Sequence, residues 1–322
     1  MASGKRIIEA FASSQIKFKV TRFNWISEFL PYYTDLNFEF IFKDQKYNGR
    51  GTAQSEELAL IKAAAEAIER CVCAQYKIHT NGVAFHFDID AAKLNARNEL
   101  IERDLALCHY LTQTPFQHLK DEIPHFLNGA IQKFSNTHVN ISLFKMKTVG
   151  NLKPVICLAE GNNAPVPFGL IIGLGCKESL HSAIESAFLE CAKNVVYILH
   201  SNQVDTLSEC DFESIKAIPN NHFLYALNPM THLALAPLLE DSKKNKTIFV
   251  EAINNDFQFE ILKSDFLNLG INFYIVRAQN PSLQNIFYGK TKNEYVNLDR
   301  LSLFSGKQLS FNELYRAPHI FG

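Results

Sequence analysis

Two short segments of the chain carry paired glutamates followed by an arginine. Glu66-Ala-Ile-Glu69-Arg70 and Glu99-Leu-Ile-Glu102-Arg103 share the pattern Glu-x-Ile-Glu-Arg. In a helix, residues three apart lie on one face, on adjacent turns. A single copy would favour a solvated helix surface, in which each Glu–Arg ion pair contributes only about a few tenths of a kcal/mol.

The setting of these glutamates favours a cation-binding site instead. The first copy lies in Ala-rich sequence of low charge, and Glu190 adds a carboxylate from another Ala-rich stretch. Carboxylates brought together repel one another unless cations neutralise them. Mg²⁺ takes oxygen ligands and usually shares them with nucleotide phosphates. Arginines are the natural partners for the remaining phosphate charge, and the candidates are Arg22, Arg70, Arg103 and Arg277.

Helices and strands must position these side chains. Three Ala-rich stretches with apolar residues at helical spacing predict helices, from about Ser55, a predicted N-cap, to Tyr76, from Asp90 to Leu111 and from Glu178 to Leu199. Strand-like runs lie between them, at Phe38–Lys43, Val155–Ala159 and Ile271–Val276. The sequence therefore predicts a mixed α/β (α+β) protein whose Ala-rich helices pack on mixed sheets.

The same lead-in precedes two of these helices at equal spacing. Gly49-Arg-Gly51 is followed by Ala59, Ala63 and Glu66, and Gly173-Leu-Gly175 by Ala183, Ala187 and Glu190. Glycines often serve only a tight turn, but the repeated alanines allow close helix packing. The pattern predicts an internal structural duplication with a partly buried glutamate in each copy.

Composition limits the class of protein. The chain has 322 residues, 47% of them hydrophobic, and a formal net charge of −1. We expect one domain over residues 1–322, with a subdivision near residues 140–150 left open, no affinity for nucleic acid or membranes, and a cytoplasmic location. Seven irregularly spaced cysteines predict reduced thiols, with Cys71 and Cys73 more often core residues than metal ligands.

Taken in order, these segments resemble the YcaO-type ATP-dependent enzymes, and among them the azoline-forming cyclodehydratases. The segments from Gly49 to Arg70, from Asn81 to Asp104 and from Gly173 to Glu190 resemble the family's three acidic blocks. Asn221–Tyr225 and Val276–Gln284 resemble later blocks. The five segments in this order are far more specific to the family than any one segment alone.

The resemblance implies a site and a reaction. It implies that Mg²⁺ is held by the glutamates Glu66, Glu69, Glu99, Glu102 and Glu190, and that ATP is bound by these residues together with Arg70, Arg103 and Arg277. In this chemistry a Cys, Ser or Thr side chain of a precursor peptide attacks the preceding amide carbonyl. ATP phosphorylates the resulting oxyanion, and phosphate leaves to give a thiazoline or oxazoline.

The end of the sequence resembles the Pro-x-Pro-x-Pro tail of azoline-forming members, which has been proposed to aid proton transfer. Pro318, His319 and Phe321 keep the look of that tail, whereas Ile320 and Gly322 replace two prolines. The resemblance makes Pro318, His319 and Gly322 catalytic candidates, with His319 as a base near neutral pH. An ordinary docked terminus is the alternative.

Several residues depart from the family pattern and keep other interpretations open. Lys62 replaces the serine expected before Glu66, Lys193 replaces a glutamine, and Ala91 stands where an acidic residue is common. Lys62 could contact a phosphate, or it could neutralise a carboxylate and displace Mg²⁺. The alternatives are a degenerate, non-catalytic module that binds a peptide or partner enzyme, and an enzyme that forms a thioamide or amidine.

The resemblance also implies partners. The sequence shows only a YcaO-like portion, so we expect a separate activating-enzyme-like protein that binds the leader of the precursor peptide. A flavin-dependent dehydrogenase that oxidises azolines is a further partner expected by analogy alone. Whether the chain forms a homodimer is left open.

Overall fold

The computed structural model describes residues 3–120, 122–201, 203–239, 250–251 and 256–321. Helices in this part of the chain are α1 Ser3–Ser13, α2 Ile26–Phe29, α3 Glu56–Tyr76, α4 Ile89–Thr112, α5 His125–Asn136, α6 Leu180–Leu199, α7 Pro219–Ala226, α8 His232–Leu239 and α9 Leu298–Ser305. Its strands are β1 Phe18–Phe23, β2 Thr34–Phe42, β3 Gln45–Ala53, β4 Val83–His86, β5 Gln117–His118, β6 Asn140–Lys145, β7 Thr148–Val149, β8 Lys153–Gly161, β9 Phe168–Lys177, β10 Val250–Glu251, β11 Gln258–Ile261 and β12 Tyr274–Gln279.

This arrangement is a mixed α and β fold, as the sequence predicts. The three Ala-rich helices are α3, α4 and α6, and each lies within two residues of its predicted bounds. The predicted N-cap of α3 is confirmed, because the Ser55 side chain accepts a hydrogen bond from the N–H of Leu58. No helix in the described ranges is long and apolar enough to cross a membrane.

Contacts divide the chain into two compact units. The first unit comprises Met1–Leu100 and Asp256–Asn280, and the second comprises Ile101–Asn255 and Pro281–Gly322. The first boundary falls inside α4, between Leu100 and Ile101. The sequence leaves a subdivision near residues 140–150 open and shows no linker at the boundary inside α4. A boundary between units that falls within a continuous helix is not marked by any change in composition.

The first unit is built on two antiparallel sheets, ordered β1-β2-β3 and β11-β12-β4. Phenylalanines of α1 and β2 form its aromatic core, where the rings of Phe11 and Phe38 meet edge to face at 4.9 Å between centroids. The buried alanines Ala59, Ala63 and Ala67 bring α3 directly against β3.

The second unit contains the antiparallel sheet β5-β6-β8-β9 and a short parallel pair, β7 with β10. Strands β8 and β9 are apolar over most of their length, and α6 packs on both. The Ser179 side chain caps α6 by accepting a hydrogen bond from the N–H of Ser182, as Ser55 caps α3. The two units thus start their Ala-rich helices in the same way.

The two Gly-x-Gly pairs lie within strands, β3 and β9, rather than in turns. A Cβ placed on Gly49 would lie 2.2 Å from the carbonyl oxygen of Ala63, and one on Gly173 would lie 2.0 Å from that of Ala187. The glycines are therefore required because the backbone of the helix touches the strand. The predicted duplication is confirmed, since equivalent glycines meet equivalent alanine carbonyls.

All seven cysteines are free thiols, and six of them are buried. Burial raises the pKa of both Cys71 and Cys73 to about 12. Both side chains lie in the hydrophobic core of the first unit. The interpretation of this pair as core residues is therefore confirmed.

Candidate functional site

Glu66 is fixed by the main chain of the neighbouring strand. Its Oε2 accepts a hydrogen bond from the N–H of Arg50, the residue between the two glycines of β3, at 2.8 Å. Its Oε1 accepts one from the Arg70 guanidinium at 2.5 Å. The predicted partnership of Glu66 and Arg70 is present, and the strand orients the carboxylate independently of it.

Gly49 and Gly51 lie on the face of β3 that packs against α3. Because side chains alternate along a strand, the side chain of Arg50 points to the opposite face. Its Nε donates to both carboxylate oxygens of Asp35 at 3.0 Å, and Thr52 Oγ1 donates to Asp35 Oδ1 at 3.1 Å. Asp35 is fully buried. The sequence analysis missed this ion pair, whose only signal is a charged residue in an apolar strand.

Glu69 lies one turn further along α3, and its Oε1 accepts a hydrogen bond from the N–H of Phe85 in β4 at 2.5 Å. Burial raises the pKa of Glu69 to about 8, and the nearby Glu66 carboxylate also acts to raise it, while the Phe85 hydrogen bond and Arg70 act to lower it. A carboxyl group with this pKa is mostly protonated at neutral pH. Glu69 is half-buried, and a cation bound beside it would favour its ionised form.

Glu99 and Arg277 both act electrostatically on Cys73 of α3. Burial, and then the charges of Glu69 and Glu99, raise the pKa of Cys73, whereas the charge of Arg277 lowers it. Arg277 lies in β12 and forms an ion pair of 3.8 Å with Glu260 of β11. The structure thus brings Glu69, Glu99 and Arg277 within electrostatic range of one thiol.

The other predicted ligands of the first unit, Lys62 and Arg22, already contact protein groups. Lys62 Nζ donates to the carbonyl oxygen of Thr52 at 3.3 Å. Arg22 forms a 3.3 Å ion pair with Glu56 and donates to Thr34 Oγ1 at 3.1 Å. Arg22 also lines a polar cavity of about 380 Å³. The binding of phosphate by either residue stays a prediction.

In the second unit, Glu190 repeats the geometry of Glu66. Its Oε2 accepts a hydrogen bond from the N–H of Leu174, which lies between the two glycines of β9, at 2.7 Å. In the described sheets β3, β4 and β9 are all edge strands, so their outer N–H groups face away from the sheet. Three glutamates thus bond to N–H groups of edge strands: Glu66, Glu69 and Glu190.

The residue after the second Glu-x-Ile-Glu-Arg segment is structural. Asp104 is fully buried and accepts hydrogen bonds from Arg300 Nε at 3.0 Å and from the N–H of Gln284 at 2.7 Å. This contact explains the Pro281–Gln284 block, which holds a buried carboxylate in the second unit. Glu102 and Arg103, which immediately precede Asp104 in α4, are half-buried.

His319 is buried and its ring nitrogens make hydrogen bonds to the main chain. Its Nε2 bonds to the carbonyl oxygen of Phe287, and its Nδ1 accepts from the N–H of Phe321 at 3.3 Å. Burial, then His222 and Arg103, lower the pKa of His319 well below its usual value. In this conformation His319 anchors the backbone as a neutral ring, and a role as base requires these bonds to open.

His222 holds the same segment from the other side. The rings of His222 and His319 stack at 4.0 Å, and His222 Nδ1 donates to the carbonyl oxygen of His319 at 2.6 Å. Pro318 is also buried, and its carbonyl oxygen accepts from the Tyr110 hydroxyl at 2.8 Å. Gly322, the third catalytic candidate, lies outside the described residues.

The predicted site residues are distributed over both units. The first unit carries Arg22, Lys62, Glu66, Glu69, Arg70, Glu99 and Arg277. The second unit carries Glu102, Arg103, Glu190, Pro318 and His319. Within the first unit, Glu66, Glu69 and Arg70 are brought together on α3. Within the second unit, His319 and Arg103 are brought within electrostatic range.

The donor chemistry fits Mg²⁺. Carboxylate oxygens are the ligands that this ion prefers, and all five predicted ligands are glutamates. Among the described residues, however, no three His, Cys, Asp or Glu side chains are already assembled as a metal site. The predicted ligand set therefore fits in kind, and its assembly around an ion stays a prediction.

Solved structures share this fold. A heterocyclase in complex with substrate and cofactor matches with a TM-score of 0.67 and 10% identity, over 98% of this chain and 57% of that one. YcaO from Methanopyrus kandleri, bound with AMPPCP and Mg²⁺, matches with a TM-score of 0.58 and 11% identity, over 91% of this chain and 96% of that one. A chain of the E. coli microcin synthetase McbBCD complex matches with a TM-score of 0.55 and 9% identity, over 90% and 95%.

The chain thus spans little more than half of the heterocyclase and nearly all of the other two proteins. No curated protein sequence matches it. At these identities the structural likeness shows the fold alone. The likeness extends over residues of both compact units, since each of the three alignments covers at least nine tenths of the chain.

A sequence profile of one protein family also matches. The family is described as YcaO cyclodehydratase, ATP- and Mg²⁺-binding, and the match covers residues 76–286. This range includes Glu99, Glu102, Glu190 and Arg277, while the first acidic block and the segment Pro318–Gly322 lie outside it. ATP and Mg²⁺ are the two cofactors that the resemblance predicted. Because the match covers well over half of the sequence, the chain belongs to the YcaO cyclodehydratase family.

Proposed function

We propose that this protein uses Mg-ATP to convert Cys, Ser or Thr residues of a ribosomally made precursor peptide into thiazolines or oxazolines. Membership of the family supplies the reaction class. The observation that carries the proposal is the repeated fixing of a glutamate by an edge-strand N–H, at Glu66 and at Glu190. Carboxylates oriented by the main chain keep their geometry whether or not a cation is bound.

The chain's residues have distinct roles in this proposal. Mg²⁺ in such a site neutralises phosphate charge and polarises the phosphoryl oxygens. Its ligands would be the five predicted glutamates, Glu66, Glu69, Glu99, Glu102 and Glu190. Arg70, Arg103 and Arg277 would meet the charge that remains on the phosphates.

The reaction balances without any further reactant. The peptide nucleophile adds to the preceding amide carbonyl, and the former amide oxygen takes the γ-phosphoryl group of ATP. Cleavage of the carbon–oxygen bond then releases that oxygen as phosphate and leaves the ring. The sum is peptide plus ATP giving azoline, ADP and phosphate, so the peptide loses the elements of one water.

The nucleophile must lose a proton in this reaction, and the tail segment, Pro318–Gly322, is the proposed source of the base. His319 would serve once its bonds to Phe287 and Phe321 open, and Pro318 and Gly322 would place it. The partners we propose are a separate leader-binding protein of the activating-enzyme type and a flavin-dependent dehydrogenase. Both would act on the same peptide.

A non-catalytic module is the second candidate. It is favoured by Lys62 and Lys193, which stand at positions where the family pattern has neutral side chains. Such a module would bind the peptide or a partner enzyme without turning over ATP.

Mass spectrometry of the peptide tests the proposal. The protein, its partner and a Cys/Ser/Thr-containing precursor are incubated with Mg-ATP, and ADP is measured in the same sample. Loss of one water mass per modified residue with matching ADP release is expected. In a parallel sample that also contains sulfide, replacement of an amide oxygen by sulfur would point to thioamide formation instead. An unchanged peptide mass without ADP release would favour the non-catalytic module.

A further inference from the structure

The second unit contains a cavity of about 640 Å³ in which none of the predicted site residues lies. Its wall includes Glu209, from the short 3-10 helix Glu209–Glu213, Tyr225 from α7, and Tyr315. Its volume falls in the range of ligand pockets, roughly 300–1,000 Å³. The size of this cavity suits an amino-acid side chain together with the adjoining peptide.

Two tyrosines form a fixed aromatic wall. Tyr225 is buried, and its ring meets Phe212 edge to face at 5.5 Å. The ring of Tyr315 meets Tyr110 edge to face at 5.2 Å, and its main-chain N–H donates to the carbonyl oxygen of Leu111 at 2.8 Å. Packing therefore holds both tyrosines in place where they line the cavity.

Glu209 gives this wall a negative charge. Its exposed side chain lines the same cavity as Tyr225 and Tyr315, and its charge acts, after burial, to raise the pKa of both tyrosines. Within the described part of the chain Glu209 forms no ion pair. Glu213, on the same 3-10 helix, differs because it pairs with Lys290.

A carboxylate beside fixed aromatic rings recognises a cation with a planar face. The guanidinium of arginine stacks on aromatic rings and pairs with carboxylates, and it is less strongly hydrated than an ammonium group. We propose that this cavity binds an arginine side chain of the peptide substrate. The identity of the ligand as a substrate residue rests on the proposed function.

The cavity is placed so that a peptide held there lies beside the tail segment. Tyr225 lies in α7, the helix whose His222 donates to the carbonyl oxygen of His319. Tyr315 lies three residues before Pro318, the first residue of the tail segment. An arginine bound between these tyrosines would hold the peptide next to the residues proposed to supply the base.

Methionine methyl NMR on the full chain tests this site without ATP. The sequence has three methionines, of which Met230 lines the cavity and is 66% exposed, whereas Met146 is buried. Met230→Leu identifies the Met230 signal. The probe is acetyl-glycyl-arginyl-glycine amide, and the matched control replaces arginine by citrulline, which has the same shape without the charge.

The arginine probe is expected to shift the Met230 signal in a saturable way and to leave Met146 in place. Glu209→Gln should weaken binding by about fivefold, while Glu213→Gln, the same change four residues away, should not. Equal binding of the citrulline probe, or equal weakening by both variants, would overturn the proposal. Because no ATP is present, failure here leaves cyclodehydration untouched, and failure of cyclodehydration leaves the measured binding intact.

Discussion

The main-chain N–H of Leu174 donates to Glu190 Oε2 at 2.7 Å, and Arg50 and Glu66 repeat the contact at the same separation of sixteen residues. In both copies the donor lies between two glycines whose lack of a side chain lets the helix touch the strand. The orientation of each carboxylate thus follows from backbone packing. A charge can be removed from such a site without removing its hydrogen bond.

Replacement of Glu66 by glutamine is expected to abolish most activity while leaving the fold intact. The side-chain amide oxygen of the introduced glutamine can still accept from the N–H of Arg50, but the charge that would bind Mg²⁺ is lost. Turnover of ATP in the presence of precursor and partner should fall at least about 100-fold. The measurement is ADP release at saturating Mg²⁺, with circular dichroism to check folding.

Glu57→Gln is the matched control, because Glu57 is an exposed glutamate of the same helix. It should keep the activity of the unmodified protein. If Glu66→Gln were as active as Glu57→Gln, Glu66 would not be a ligand, and the site assignment would fail.

Replacement of Gly173 by alanine should destabilise the second unit strongly. The new Cβ would lie 2.0 Å from the Ala187 carbonyl oxygen and 2.5 Å from the Cys191 nitrogen, so strand and helix must separate. We expect a loss of about 3 kcal/mol or more, measured as a shift of the urea midpoint.

Gly129→Ala provides the opposite expectation. Gly129 lies inside α5 with no atom within 4 Å of an added Cβ, so alanine should stabilise by about 0.5–1 kcal/mol. A Gly173→Ala protein as stable as the unmodified one would show that α6 does not rest on β9 in solution.

The sequence predicts the helices well and the hydrogen bonds of the site poorly. Ala59 and Ala63 recur at helical spacing, and Ser55 is a strong N-cap type, so α3 is predictable within about one residue. The bond from Arg50 to Glu66 involves a main-chain donor, and no residue type marks it. The shared offset of sixteen residues in both copies was its only available signal.

The burial of the tail segment could not be predicted from its sequence. The type of His319 predicts a base near neutral pH, but its titration depends on the stacking of His222 and on the surrounding core. No periodic pattern in so short a segment shows that burial. The division inside α4 was hidden for a similar reason, since only distant segments such as Asp256–Asn280 complete the first unit.

Replacement of Asp104 by asparagine is expected to cost stability rather than only activity. Asp104 and Arg300 are both buried, so loss of one charge leaves the other unpaired in the core. We expect a loss of about 3–5 kcal/mol in the urea midpoint assay. Glu213→Gln breaks an exposed pair with Lys290 and should cost less than about 1 kcal/mol. Equal effects of the two changes would show that Asp104 is not buried in solution.

Acid is expected to unfold the second unit through its buried histidines. Burial lowers the pKa of His109 from 6.5 to about 3 and that of His222 to about 4. Below pH 6.5 the unfolded chain therefore binds protons that the folded chain excludes, and the free energy of unfolding falls as the pH falls. At pH 5 each such histidine should cost about 2 kcal/mol relative to pH 7.5.

Urea midpoints measured at several pH values between 7.5 and 5, for the unmodified chain and for His109→Gln, isolate one of these histidines. Glutamine does not titrate and can still accept the N–H of Lys147, which bonds to His109 Nε2 at 3.1 Å. The variant should therefore lose less stability on acidification, even if it is weaker at pH 7.5. His125→Gln, at an exposed position of α5, should keep the slope of the unmodified chain. Parallel slopes for all three proteins would mean that His109 titrates normally and that this part of the core is hydrated.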